Sequence, residues 1–162
     1  MRFIRYKNDS DILKPENYFL NLFLNLTGIA SEGKLTAYSA KDDEFKAKIE
    51  PKQIDSLRGN KIEQFAGFKI KEDAFFDTDR MISETRIIGI CPVIKDQKSV
   101  KEKDVCWFYF PELRKTLARL KISDRTVPSY IKTMDDLFFF RYFYGEIYKE
   151  SNLGNKQISD YC

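Results

Sequence analysis

The strongest constraint on the fold is a run of six apolar or aromatic residues at positions 105–110 (VCWFYF), which contains no polar position. A strand with one solvent-facing side alternates polar and apolar residues, so a run without alternation must be covered on both faces. A second extended run at residues 85–94 (TRIIGICPVI) is rich in β-branched residues, and a hairpin of the two runs is the obvious local pairing. The sequence therefore predicts a central sheet with Trp107 and Phe110 in the core.

Helical periodicity and capping signals mark four further segments. Residues 17–31 carry apolar side chains at helical spacing and are followed by Gly33, a residue suited to stopping a helix. Helices are also predicted over residues 51–58, 111–121 and 133–150, and Thr133 is placed to cap the last of them. The apolar stripe of the first helix consists of Phe19, Leu22, Phe23, Leu26 and Ala30.

A chain of 162 residues is most simply one domain. Its residues are 43% hydrophobic and 15% aromatic, which is ample material for a packed core. Strands and helices in mixed order predict the α+β class, as a single domain with a small, mainly antiparallel sheet packed by several α-helices. We expect the domain to cover residues 17–152, with a loosely held N-terminal arm at residues 1–16 and a polar C-terminal tail at residues 153–162.

Residues 138–144 (FFFRYFY) contain six aromatic side chains in seven positions, and the pattern places them on the last predicted helix. Seven consecutive helical positions cover the whole circumference, so these rings cannot all face one core. The helix is either buried on all sides or exposes one side to a partner, since Phe, Tyr and Arg are enriched at interface centres. A different side of this helix from the core stripe supplies the candidate partner-binding residues Phe138, Tyr142 and Lys149. The stripe that we expect in the core is Leu137, Phe140, Tyr144, Ile147 and Tyr148.

Several classes of chemistry are excluded by composition. The chain has no histidine, which removes Ser-His-Asp and Cys-His nucleophiles, a His general base and His-ligated metals. No glycine-rich phosphate loop occurs among the seven glycines, and a net charge of +3 does not indicate a nucleic-acid surface. The three cysteines, Cys91, Cys106 and Cys162, form no C-x-x-C pair, and we expect Cys91 and Cys106 to behave as small apolar residues, with a disulfide as the alternative. The sequence predicts neither a cofactor nor a small-molecule substrate.

One acidic segment keeps an enzymatic alternative open. Carboxylates could bind Mg²⁺, a hard cation that prefers oxygen ligands, and so support a small Mg²⁺-dependent enzyme. Their spacing matches no EF-hand loop, and at 33% charged residues a solvated turn explains the same cluster. The residues concerned, within positions 72–84, are Glu72, Asp73, Asp77, Asp79 and Glu84.

Two interpretations apply to the N-terminal region. Arg2, Arg5 and Lys7 precede the apolar segment at residues 18–30, which is the order found in a secretory signal peptide. Acidic residues ahead of the segment and asparagines within it favour a folded amphipathic helix. The segment is also shorter than the ~20 residues that a transmembrane helix requires.

Six groups of residues, in order and in register over residues 17–155, resemble the GldN/PorN family. The first three are KLTAYS at 34–39 with DEF at 43–45, IKED at 70–73 with FFD at 75–77, and RIIGI at 86–90 with PV at 92–93. The other three are Trp107 with YFPE at 109–112, DDLF at 135–138, and IYKESN at 147–152. Each group alone is weakly specific, whereas the ordered set is a strong resemblance.

The GldN/PorN family comprises gliding-motility and type IX secretion proteins of Bacteroidota. The resemblance implies a non-enzymatic periplasmic protein that forms a ring at the outer membrane with a lipoprotein of the GldK/PorK type. It also implies self-association within the ring, contact with the periplasmic region of a GldM/PorM-type motor component, and no catalytic residues. Family members begin with a signal peptide that residues 1–16 do not clearly show, so we expect a truncated or divergent N-terminus. Ala74 stands where the family usually has Trp.

Overall fold

A long antiparallel hairpin organises the sheet. The structure, a computed structural model, describes residues 2–5, 16–58, 64–95, 101–123, 126–150 and 158–160. Its six strands are β1 (Arg2–Arg5), β2 (Phe65–Asp77), β3 (Ile82–Lys95), β4 (Glu102–Asp104), β5 (Phe108–Tyr109) and β6 (Glu146–Glu150). They pair antiparallel in the order β4-β3-β2-β1-β6, and β5 is a further neighbour of β3. The predicted pairing of the two apolar runs is present between β3 and β5, although β2 is the longer partner of β3.

Short helices accompany this sheet. Among the described residues they are α1 (Glu16–Ser31), α2 (Pro51–Arg58), α3 (Phe110–Leu117) and α4 (Met134–Phe139), with a 3₁₀ turn at Ile158–Asp160. The chain is therefore a single α+β domain with an antiparallel sheet, as the sequence predicts. The domain boundaries that we expect at residues 17 and 152 stay a prediction.

The main core lies between α1 and the sheet. All five residues of the predicted α1 stripe are buried, and the rings of Phe23 and Phe65 stack at 5.2 Å between centroids. Phe19 meets Phe68 of β2 at 6.0 Å. Helix α1 ends before Gly33, whose φ of +73° is a conformation that glycine adopts without strain. Apolar periodicity and a glycine stop are therefore sufficient to place this helix.

A smaller buried cluster is centred on Trp107. Tyr38, Cys91 and Trp107 are buried together, and the Phe45 ring lies edge-on to Trp107 at 6.2 Å. Tyr38 and Trp107 also exchange two backbone hydrogen bonds, of 2.8 and 2.9 Å. Residues 105–108 are thereby buried by both clusters, which agrees with a strand that has no polar face.

The predicted helix over residues 133–150 is wrong in its C-terminal two thirds. Helix α4 ends at Phe139, Arg141 takes a left-handed φ of +53°, and the chain returns as β6. The register of β6 against β1 explains the difference, because tertiary pairing with an open strand edge overrides a local helical pattern.

The N-terminal residues give a second correction. The predicted arm at residues 1–16 includes β1, which is paired with β2 on one side and with β6 on the other. Four residues are too few for a periodic signal, and the strand is defined by the partners that it joins. The other positions of the arm, apart from Glu16 in α1, lie outside the described residues.

Thr133 caps α4 as predicted, through a reciprocal capping box. Its hydroxyl accepts a 3.2 Å hydrogen bond from the Asp136 amide, and the Asp136 carboxylate accepts 2.9 Å from the Thr133 amide. Hydrogen bonds from the Lys132 amide and from Thr133 lower the pKa of Asp136, so the cap is complete at neutral pH.

We expect Thr133→Ala to lower the free energy of unfolding by about 1 kcal/mol in urea denaturation, and Thr133→Ser to change it little. Equal losses in the two variants would contradict the capping role.

Candidate partner-binding surface

The residues predicted to bind a partner do not share one surface. Phe138 is 2% exposed and its ring meets Phe110 edge-on at 5.7 Å, so it belongs to the core. Tyr142 packs half-buried against the main core, and Lys149 is half-buried on β6. The helix side that was expected to join them does not exist, because α4 ends at Phe139. A role for Tyr142 and Lys149 in binding stays a prediction.

The residues predicted as core divide at the end of α4. Trp107, Phe110 and Leu137 are buried, whereas Phe140 and Ile147 are 50% and 39% exposed. The prediction for Phe140 and Ile147 rests on a helical stripe that continues past residue 144. Beyond Phe139 the 3.6-residue period no longer applies, so the spacing carries no information about which side is buried.

Three of the exposed aromatic residues, Tyr130, Phe139 and Phe140, form a connected patch that we call the aromatic patch. The Tyr130 and Phe140 rings lie 4.9 Å apart, and Phe139 and Phe140 lie 5.1 Å apart in an edge-on arrangement. Phe139 is 70% exposed. Connected apolar surface of this kind commonly marks a protein interaction site, and aromatic side chains are enriched at interface centres.

A groove adjoins the aromatic patch through Phe139. It has a volume of about 420 Å³ and lies between β3, α3 and α4. Its apolar lining comes from Ile87, Phe110, Pro111, Phe138 and Phe139. Because Phe139 contributes to both features, the patch and the groove form one continuous surface.

Three arginines in the groove lining are each paired with a carboxylate. Arg86 contacts Glu84 at 3.0 Å, Arg114 contacts Asp135 at 2.8 Å, and Arg141 contacts Glu72 at 2.7 Å. Hydrogen bonds and charge from Arg86 lower the pKa of Glu84, and those from Asp135 raise the pKa of Arg114. Locally compensated charges beside apolar walls suit a polypeptide partner better than a phosphate group.

Comparison with known proteins is decisive at this point. The family model described as gliding motility associated protein GldN matches residues 8–162. The chain belongs to the GldN family. The match includes every residue of the aromatic patch and the groove, and it confirms the resemblance carried by the six ordered groups. No curated protein matches the chain.

One surface feature of this GldN-family chain is not predicted by the sequence analysis: the distal half of the β2–β3 hairpin, residues 73–86, which we call the hairpin arm. Phe75, Phe76, Met81 and Ile82 on this arm are each half or more exposed. A signal was available, because adjacent phenylalanines on a strand point to opposite faces and cannot both enter one core.

The acidic residues of the enzymatic alternative are spread along this hairpin. Asp73 is opposite Arg86 and Phe75 is opposite Glu84, so the acidic residues of the hairpin have basic and aromatic residues as their cross-strand neighbours. Asp77 accepts hydrogen bonds from the amides of Asp79 and Arg80, at 3.0 and 3.1 Å, and thereby closes the turn. Within the described part of the chain, no group of three or more His, Cys, Asp or Glu residues is placed to hold a metal ion. The geometry therefore gives the Mg²⁺-dependent enzyme no support.

The buried thiols are structural. Cys91 and Cys106 are free and fully buried, as predicted for small apolar residues. Burial raises the pKa of Cys106 to about 12 and that of Cys91 well above its usual value, so neither is a thiolate at neutral pH.

No helix among the described residues has both the length and the apolar character needed to cross a membrane.

Proposed function

We propose that this GldN-family chain is a non-enzymatic structural subunit of the type IX secretion and gliding-motility machinery. In this role it assembles in the periplasm with an outer-membrane lipoprotein of the GldK/PorK type to form a ring. It also contacts the periplasmic region of a GldM/PorM-type motor component. The family match over residues 8–162 carries the proposal, because the matched family is described as gliding motility associated.

The surface of the molecule is consistent with a binding protein. Its exposed aromatic patch and adjoining groove provide connected apolar area, and the three arginines that line the groove are each paired with a carboxylate. Hot spots of protein interfaces are enriched in aromatic and arginine side chains, both of which line this surface. We assign the Tyr130–Phe140 pair as the contact to the lipoprotein, because both rings are at least half exposed and pack against each other, as anchoring aromatic residues of an interface do.

We expect Tyr130→Ala with Phe140→Ala to weaken lipoprotein binding about 30-fold. Truncating an anchoring aromatic at an interface centre costs about 2 kcal/mol, and 1.4 kcal/mol corresponds to one decade in Kd. Both side chains are half or more exposed, so the melting temperature should stay close to that of the wild type. A binding isotherm with the purified lipoprotein, alongside a thermal melt, measures both quantities.

Phe75→Ala with Phe76→Ala is the matched control, because it also removes two exposed rings, but from the hairpin arm. We expect this control to bind the lipoprotein with unchanged affinity. Equal weakening by both double variants, or none by the first, would contradict the assignment of the Tyr130–Phe140 pair.

A further inference from the structure

We propose that the hairpin arm of one copy docks into the groove and against the α3 surface of a second copy of this chain. The inference rests on the proposed function, because it names the surfaces through which a self-associating subunit contacts its neighbour. It is carried by the shape of the arm, by its apolar side chains and by the charges of the two surfaces.

The arm extends beyond the strands that flank its base. Strand β1 pairs with β2 only as far as Glu72, and β5 pairs with β3 only at Gly89 and Ile90. Among the described residues, neither strand of the arm has an outer neighbour in the sheet. Five paired positions, from Asp73–Arg86 to Asp77–Ile82, give it a length of about 15 Å. A two-stranded ribbon is marginal alone, so its stability benefits from a partner surface.

Both faces of the arm carry apolar groups. Phe75 shares a face with Glu84 and lies 5.6 Å from the Arg86 guanidinium, whereas Phe76 is opposite Ser83 on the other face. Met81 and Ile82 are 75% and 55% exposed near the turn. Large apolar residues at the end of a projection contribute nothing to the core of their own chain. They fit a groove with aromatic walls such as the one lined by Phe110, Pro111 and Phe139.

The charges of the two surfaces are opposite. The arm contains four acidic residues and two arginines between residues 73 and 86. Residues 110–121, which begin with α3 and contribute Pro111 and Arg114 to the groove, contain four basic residues and a single acidic one. Arg114 is paired with Asp135, so the positive charge of this surface comes from the other three basic residues. Lys115, Arg119 and Lys121 are exposed there. Opposite potentials favour docking of arm on helix and disfavour docking of arm on arm, where like charges would meet.

The partner is therefore a second copy rather than an unrelated protein, because one chain carries both complementary surfaces. The groove includes Glu84, Thr85 and Arg86 from the base of the arm, whereas the exposed end of the arm and the α3 surface are different patches. When one copy uses its arm end and the other its α3 surface, the contact is heterologous and continues from copy to copy. Contacts of this type close into rings when the rotation between copies permits it. An isologous dimer, in which each arm enters the groove of the other copy, would instead stop at two copies.

The test uses two double variants of the full chain, analysed by sedimentation velocity over a range of concentrations. The arm variant is Phe76→Ser with Asp79→Lys, and Asp77 is kept because it closes the turn. The helix variant is Lys115→Glu with Arg119→Glu. We expect the wild type to form species larger than a dimer, and each variant alone to associate at least ~10-fold more weakly. Lys52→Glu, a charge reversal on the exposed side of α2, should associate like the wild type.

Mixing the variants gives the decisive result. The arm variant keeps an intact groove and the helix variant keeps an intact arm, so a 1:1 mixture should form a dimer and nothing larger. No mixed dimer, or a helix variant that associates as strongly as the wild type, would overturn the proposal. A wild type that stays monomeric with and without the lipoprotein would also overturn it.

Lipoprotein binding by the same variants separates this inference from the proposed function. We expect both variants to bind the lipoprotein as the wild type does, because their substitutions lie outside the Tyr130–Phe140 pair. If the wild type does not bind the lipoprotein but the two variants still form the mixed dimer, the lipoprotein assignment is refuted and the arm contact is supported. If the wild type binds the lipoprotein but the two variants form no mixed dimer, only the arm contact is refuted.

Discussion

Trp107→Ala is expected to lower the free energy of unfolding by about 3–5 kcal/mol, which is the usual cost of truncating a buried large aromatic residue. Trp107 is 3% exposed, and its ring contacts Phe45 in the smaller buried cluster. Domains are stable by only about 5–15 kcal/mol, so this variant loses a large share of its stability. Urea denaturation followed by circular dichroism measures the loss, because the variant lacks the only tryptophan.

Trp107→Phe is the control for this result. The two backbone hydrogen bonds between Trp107 and Tyr38 do not depend on the side chain, so both variants keep them. The difference between the alanine and phenylalanine variants therefore reports ring packing. An alanine variant as stable as the wild type would contradict the burial of residues 105–108 on both faces.

Arg141→Ala is expected to destabilise the fold by about 3 kcal/mol. The Glu72 carboxylate is 2% exposed, and Arg141 lies 2.7 Å from its Oε1. Removing one partner of a buried ion pair leaves an uncompensated charge, which typically costs about 3–5 kcal/mol. The lower end applies because the Arg141 side chain is 41% exposed and its charge is partly screened by solvent.

A second substitution identifies the cause. Glu72→Gln removes the buried charge, so adding it to Arg141→Ala should recover part of the lost stability in a double-mutant cycle. Arg141→Lys keeps a cation at the same left-handed backbone position and should lose less than the alanine variant. If the two residues act independently, the free-energy losses of Arg141→Ala and Glu72→Gln will simply add in the double variant. That additive result would contradict the ion pair.

The elements predicted well are those with a strong local signal. Helix α1 combines an apolar stripe with a glycine stop, and α2 begins at a proline, so both are found within one residue of their predicted bounds. The burial of residues 105–108 follows from the absence of a polar position. The cap of α4 at Thr133 was predictable because a hydroxyl three residues ahead of an acidic residue is a purely local arrangement.

The elements missed depend on distant residues. Strands β1 and β6 lie near opposite ends of the chain and pair with each other. Each has only four or five residues, which is too short for a periodic pattern to predict the pairing. Gly89 is another case, because a Cβ at this position would overlap the Phe45 ring, a neighbour more than 40 positions away. The need for glycine there is a consequence of the tertiary packing.

The excess of aromatic residues was predicted, but the burial of the individual residues was not. The excess of aromatic residues at 138–144 correctly indicated more rings than one core can hold. Assigning sides by helical period then buried Phe140 and exposed Phe138, which is the reverse of what the structure shows. The sequence pattern does not identify Tyr130, because its contact with Phe140 depends on the path of a loop that the sequence does not predict.

The most direct test of the central proposal is co-purification of the full chain with the outer-membrane lipoprotein of the GldK/PorK type from the same organism. The two proteins should be co-produced, and only the lipoprotein should carry an affinity tag. We predict a complex that persists through gel filtration with a fixed ratio of the two chains, and that is weakened by Tyr130→Ala with Phe140→Ala. Recovery of the lipoprotein alone, while the chain elutes separately in folded form, would contradict the proposal that this GldN-family protein is a structural subunit of the ring.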